Sequence, residues 1–291
     1  MSIEVIRPGI NTTFQDRGRS NLYHLGIPFS GAMDTRNLLI TNKLVGNDKN
    51  DAVIEFALQG PKLKVKQNNI NCVVTGNVSF TFKKNSKIYN GECYKTFDLN
   101  NNDEIDIIST NNSMYGYFSI SGGFKIEKKW NSYSTHLRSK VGPNKGDKIV
   151  ENDILQLNKN VKPIIKKSID YSNSKIEFIR VIKGTNFDYF SKESQKSFFE
   201  SQYQVTNLTD RMGMRLDGNK LNNIKSENIK SEGLIKGVIQ VPPDGKPIIM
   251  LSDHGTIGGY PKIGVIISCL LYTSDAADDM QCVDLGGRRI I

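Results

Sequence analysis

The chain has 291 residues, of which 37% are hydrophobic, with 39 Lys and Arg against 30 Asp and Glu and a formal net charge of +9. Mean hydropathy is −0.40 and no apolar run approaches the ~18 residues of a membrane span, so no membrane association is expected. The opening "MSIEVIRPG" lacks the basic start and apolar stretch of a secretion signal, so a cytoplasmic protein is expected, long enough for one large domain or two small ones.

The positive charge does not point to nucleic acid. Lysine comes with Asn and Ile in "KQNNINC" and "KLNNIKSENIKSE", residues of A/T-rich codons, and no Arg and aromatic clusters accompany it. The four cysteines and three histidines show no metal-ligand spacing, so no metal site is expected and the thiols are expected to stay reduced.

In chain order, "SIEVIR", "KLKVK", "NCVVT", "VSFTF", "EIDII", "YGYFSI", "ILQL" and "KIEFIRVI" read as short strands punctuated by Gly, Asn and Asp turns. "DTRNLLITNKLVGN" reads as a helix, with Asp34 as N-cap and Gly46 as stop. "DYFSKESQKSFFESQ" around 188–202 is a second helix. The polar, Pro-containing stretch 158–175 is the expected linker between an N-terminal part, 1–165, and a C-terminal part, 166–268. So many short strands predict a mainly β fold of barrel or sandwich type rather than alternating βα units.

Three turn-rich stretches concentrate Gly with functional side chains, as functional loops on a rigid scaffold do. The first, 13–34, holds Gln15, Asp16, Arg17 and Arg19 around Gly18. The second, 207–218, holds Asp210, Arg211 and Arg215. The third, 237–264, runs through a Pro-Pro-Asp-Gly turn to Asp253, His254, Thr256 and a Gly-Gly-Tyr-Pro turn. Each has a plain structural explanation as well. An Asp-Arg pair in a turn can be a local cap and ion pair, Pro-Pro-Asp-Gly is a turn signature, and a lone histidine can be a hydrogen-bonded loop residue as well as a base.

Taken together and in order, "TFQDRGR", "GIPFSGAMD", "AVIEFALQGPKL", "YGYFSISGGF", "DRMGMRLDG", "IQVPPDGKPIIMLSD" and "GGYPKIG" resemble the biotin-dependent-carboxyltransferase-like family over residues 3–268. The family includes the C subunit of bacterial ATP-dependent 5-oxoprolinase, the second subunit of allophanate hydrolase, the carboxyltransferase region of urea carboxylase, and Kip-type antagonists of a histidine-kinase inhibitor. The resemblance implies a cyclophilin-like, β-barrel-rich fold in two related parts. It implies a hydrolase subunit that, with ATP and Mg, converts 5-oxoproline to glutamate. Its implied partners are a Kip-inhibitor-like B subunit, together with a LamB/YcsF-like A subunit. The alternatives are carboxyl transfer from biotin to a urea-like amide, or a regulatory protein without catalysis.

A lactam is a poor electrophile, so its opening needs activation of the oxygen and cations for the charge that develops. On motif position, Arg211 and Arg215 are candidates for phosphate or carboxylate. Asp210 and Asp253 are candidates for a metal-nucleotide, for orienting an arginine, or for base catalysis, and His254 for acid–base work. Gly258 and Gly259 would let backbone N–H groups approach an anion, next to Thr256 and Tyr260. Gln15, Asp16, Arg17 and Arg19 either line the same cleft or brace it. No GxxxxGK[ST] loop and no biotinyl segment occurs. The family commonly reads Gln-Thr-Thr before Gly-Gly-Tyr-Pro, where this chain has Gly255, Thr256 and Ile257.

From 269 onward the sequence departs from this pattern. Residues 269–278 and 282–291 resemble translated sequencing-library adapters, so 269–291 is expected to be a non-native tail in place of the last natural strands. Loss of those strands would leave an exposed sheet edge or an apolar patch beside 265–268.

Overall fold

In the computed structural model, the described residues are 1–111, 113–158, 166–170, 179–226, 228–267 and the backbone of 283–284. The chain divides into two units: Met1–Arg19 with Ser30–Asn173, and Ser20–Phe29 with Ser174–Ile291. The segment Ser20–Phe29, inside the first sequence motif, therefore groups with the second unit. The five described residues of the expected linker, 166–170, are tied to the first unit, where Lys167 N–H donates to Thr96 Oγ1 at 2.8 Å and Ser168 bridges Lys95. The remainder of that linker, apart from Asn158, lies outside the described residues.

The first unit holds β1 (Ser2–Arg7), β2 (Ile10–Gln15), α1 (Thr35–Val45), β3 (Val53–Ala57), β4 (Lys62–Val65), β5 (Ile70–Thr75), β6 (Val78–Lys84), β7 (Lys87–Asn90), β8 (Phe97–Leu99), β9 (Glu104–Thr110), β10 (Tyr115–Ile120) and β11 (Ile154–Gln156). They form two antiparallel sheets, in the order β11-β1-β4-β9-β6-β7 and β2-β3-β10-β5-β8. Alternation decides which side chains meet between them. Ile3, Val5, Leu63, Val65, Ile105 and Ile107 come from one sheet, and Phe14, Ile54, Phe56, Val74, Phe118 and Ile120 from the other, into one buried cluster. Register shifts interrupt β1–β4, β2–β3 and β6–β9, which is how short strands curl toward a barrel.

Helix α1 covers the outer face of β5 and β10, so both strands are buried throughout. Its ends are those the sequence predicts. The Asp34 side chain accepts from Asn37 N–H at 3.0 Å, and Gly46 takes a left-handed φ of 73° while its N–H bonds back to Asn42 and Lys43. Tyr117 from β10 reaches the same corner and accepts from Asp34 N–H at 2.8 Å.

The second unit holds β12 (Val181–Lys183), α2 (Lys192–Glu200), β13 (Gln202–Val205), β14 (Gly213–Asp217), β15 (Glu232–Gly233), β16 (Val238–Gln240), β17 (Ile248–Met250), β18 (Ile257–Gly258), β19 (Lys262–Ile266) and β20 (Val283–Asp284). Its main sheet runs β12-β19-β16-β17-β14-β13-β20, and β15 pairs with β18. The fold is thus mainly β with two α-helices among the described residues, as expected.

Beside Val265 the expected sheet edge is covered. Val265 pairs with Ile182 of β12 on one side and Val238 of β16 on the other, so β19 is an interior strand. Apart from β20, the expected tail lies outside the described residues.

Candidate functional site

In the first unit, the charged residues of the first motif turn inward. Asp16 is buried, and its Oδ1 accepts from Gly18 N–H at 2.8 Å, Ser132 Oγ at 2.7 Å and Ser134 Oγ, while Oδ2 accepts from Tyr133 N–H at 2.6 Å. Arg19 is equally buried and donates to the carbonyls of Lys129 and Ser134. Gln15 Nε2 donates to Thr13 Oγ1 and to the Thr135 carbonyl, both at 2.9 Å.

Of the two roles open to these three residues, the geometry is that of a brace. They lace the 129–135 segment onto the end of β2. Arg17 is exposed, with a long 3.5 Å contact to Asn50. Gly31 explains part of the same motif. With φ +92°, a Cβ there would stand 3.0 Å from the Arg17 backbone, so only glycine closes this turn.

In the second unit, the second and third motifs meet. β14 pairs with β17 at Gly213 and Met250, which brings the turn before β14 beside the segment after β17. Asp253 N–H donates to the Arg211 carbonyl at 2.8 Å, and the side chains close the pair. Arg211 Nε and Nη2 reach Asp253 Oδ2 and Oδ1 at 2.8 and 3.0 Å. Both side chains are less than a tenth exposed, so this is a buried bidentate ion pair rather than a free phosphate clamp. Asp210 is exposed but turned onto its own backbone, accepting from Met212 and Gly213 N–H at 2.8 and 3.1 Å. Arg215, on β14, is exposed, and its guanidinium makes no hydrogen bond or ion pair among the described residues.

His254 follows the ion pair and is buried. Its Nδ1 lies 2.6 Å from the Gly255 carbonyl and its Nε2 lies 3.3 Å from Tyr23 Oη. A carbonyl can only accept, so Nδ1 carries the proton and Nε2 presents its lone pair to the Tyr23 hydroxyl. Burial lowers the His254 pKa, and the Lys236 ammonium pushes the same way, while the Gly255 carbonyl and the Asp253 carboxylate oppose it. Lys236 in turn donates to Ser252 Oγ at 3.0 Å. Burial raises the pKa of Tyr23, so its hydroxyl stays protonated at neutral pH.

The lowered His254 pKa has a thermodynamic consequence. The unfolded chain takes up the proton first, so stability is full above the ordinary value of 6.5 and falls as pH drops through the depressed folded value. Urea unfolding between pH 7.5 and 5 should show this loss, and His254→Gln should flatten its histidine component.

The rest of the third motif is tied into the fold through its backbone and Gly258. Thr256 is half-buried, and its carbonyl accepts from Leu234 N–H at 3.0 Å. A Cβ on Gly258 would sit 2.7 Å from the buried Gln240 amide, so this glycine admits Gln240 rather than shaping an anion hole. The Gly259 carbonyl accepts from Ile229 N–H at 2.8 Å, and the Tyr260 carbonyl accepts from Gln240 Nε2 at 3.0 Å while its ring remains partly exposed. Lys262, only 4% exposed, donates from Nζ to Glu232.

Tyr23, Lys236, Ser252 and Lys262 are not singled out by the sequence. Tyr23 lies within the first motif, but nothing in its spacing ties it to His254.

Other proteins are similar in sequence to this chain over most of its length. The C subunit of 5-oxoprolinase from Escherichia coli K12 is 29% identical over 274 residues, covering 93% of this chain and 86% of that protein. The Haemophilus influenzae C subunit is 30% identical over 266 residues, covering 91% and 84%. Urea amidolyase of Saccharomyces cerevisiae is 28% identical over 283 residues, which cover 89% of this chain but 15% of the longer enzyme. Among solved structures, Kluyveromyces lactis urea carboxylase superposes with a TM-score of 0.84 at 24% identity over 94% of this chain and 26% of its own. TTHA0988 superposes with a TM-score of 0.82 at 24% identity over 94% of this chain, which spans about half (53%) of that longer chain. The sequence model of the carboxyltransferase domain, subdomain A and B, matches residues 25–274, and the chain belongs to that family.

Proposed function

We propose that this chain is the C subunit of an ATP-dependent 5-oxoprolinase and opens 5-oxoproline to glutamate with partner subunits. The partners on this reading are a Kip-inhibitor-like B subunit, together with a LamB/YcsF-like A subunit. The observation that carries it is the 29–30% identity to two bacterial C subunits over nine-tenths of the chain and more than four-fifths of theirs.

The chemistry of the second unit is compatible with amide hydrolysis. A neutral buried imidazole with its lone pair directed at a hydroxyl is a general base at neutral pH. The Arg211–Asp253 pair fixes the segment that carries it, and the exposed Arg215 fork suits a substrate carboxylate.

Among the described residues of this unit, Arg211 is paired with Asp253, Asp210 closes its own turn, and Gly258 lies against Gln240. On this reading ATP with Mg is bound in the complex, and the partner subunits take part in activating the lactam oxygen. The test is co-expression with the partner subunits and assay of glutamate from 5-oxoproline. Turnover should require ATP and fall about 10²–10⁴-fold in His254→Gln, the usual span for a lost general base. No turnover with all partners present refutes the reading.

The match to fungal urea amidolyase supports a second reading, carboxyl transfer from carboxybiotin to a urea-like amide. Carboxylated product formed from a biotinylated carrier, without glutamate, would select it.

A further inference from the structure

We propose that Tyr23 is a catalytic residue of the second unit, the group that meets the reacting water and passes its proton to His254. The inference rests on the amide-hydrolase reading above. It starts from a displacement in the chain. Ser20–Phe29 leaves the first unit's sequence neighbourhood to group with the second. Its only helical turn, Tyr23–Leu25, is closed by Gly26 at φ 70°, whose N–H bonds to the Tyr23 carbonyl at 2.9 Å. That turn sets the phenol edge-on to the His254 imidazole, ring centroids 6.1 Å apart at 63°.

Tyr23 Oη lies 3.3 Å from His254 Nε2. His254 is 1% exposed and Tyr23 39% exposed. A buried base cannot meet a substrate directly, whereas the partly exposed tyrosine beside it can. Because Nδ1–H is held by the Gly255 carbonyl, the tyrosine proton is directed at Nε2, and the tyrosine oxygen keeps lone pairs for an outside donor. The other charged groups that act on His254 are Asp253 and Lys236. The first favours the imidazolium that a relay must form, and the second holds the resting ring neutral.

The balanced step is hydrolysis of a lactam whose oxygen has been phosphorylated from ATP in the complex. The water oxygen bonds to the ring carbon that bears that oxygen, its proton passes to Tyr23 Oη, and the Tyr23 hydroxyl proton passes to His254 Nε2. When the ring C–N bond breaks, the same path returns the proton to the nitrogen, which becomes the amine, and a second water releases the acyl-bound group as inorganic phosphate, leaving the carboxylate.

Two measurements on Tyr23→Phe test this. In the reconstituted complex, kcat should fall about 100-fold or more with KM for 5-oxoproline unchanged. In the full chain alone, the His254 ring titration, followed by nitrogen NMR and assigned by its disappearance in His254→Gln, should move to higher pH, because a donor that favours the neutral ring has gone. An unmoved titration refutes the hydrogen bond, and a moved titration with unchanged kcat refutes the relay. If the wild-type complex makes no glutamate, the hydrolase reading fails and the relay falls with it. The titration still reports on the bond by itself, so the two failures are told apart.

Discussion

Arg211→Ala should lower the unfolding free energy of the second unit by about 3–5 kcal/mol, the usual cost of leaving one partner of a buried ion pair uncompensated. Asp253→Ala should do the same from the other side. The reason is geometric. Two parallel N–H···O contacts join side chains 42 residues apart, and both are nearly out of water. In Arg211→Ala, the Asp253 carboxylate stays buried without the bidentate Arg211 fork. The double variant Arg211→Met with Asp253→Leu removes both charges and should recover much of the stability, since apolar replacement of a buried pair is often neutral or better. It should not recover activity, because His254 is the next residue and its neighbouring carboxylate is gone. Urea unfolding followed beside a turnover assay separates the two effects. Equal stability of the single and double variants would contradict the ion-pair account.

Asp16→Ala is the second large effect, at about 3–5 kcal/mol for four hydrogen bonds to a charged group lost together. Two of the donors are backbone N–H groups, Gly18 and Tyr133, and two are the hydroxyls of Ser132 and Ser134. Asp16→Asn is nearly isosteric, yet it should also destabilise. Whichever way the amide is turned, its NH2 faces hydrogen-bond donors where an acceptor oxygen stood. The loss should appear in the melting temperature of the first unit. At permissive temperature the surviving folded protein should keep its KM. A raised KM without loss of stability would return Asp16 to the site.

Helix α1 shows why some of this was legible in advance. Its cap and stop are local chemistry, and Asp34 needs only Asn37, three residues away. The strands were legible for a similar reason. Alternation along β1, β4 and β9 reports which face is buried, and "NCVVT" and "YGYFSI" read as strands although both faces are covered. Motif order was enough to reach the family, because several Gly-rich turns in sequence constrain a backbone more than any one does.

The roles of the residues in those turns were another matter. Motif position made Arg211 and His254 site candidates and left Asp16 and Arg19 open between lining the cleft and bracing it. Asp16 finds Ser132 and Ser134, 116 and 118 positions away, and becomes a brace. Arg211 finds Asp253 and becomes a buried pair. His254 finds Tyr23, 231 positions away, and turns an acceptor lone pair toward a hydroxyl.

By itself, the sequence determined the mainly β architecture, the ends of α1 and the glycine turns, since each depends on local backbone preference or on the pattern of buried faces, and the order of its motifs carried the family resemblance. Only the tertiary structure decided which charges are spent on the fold and which remain for chemistry. A polar side chain's role is set by the partner that desolvation forces upon it, and that partner is supplied by chain topology rather than by neighbours in sequence.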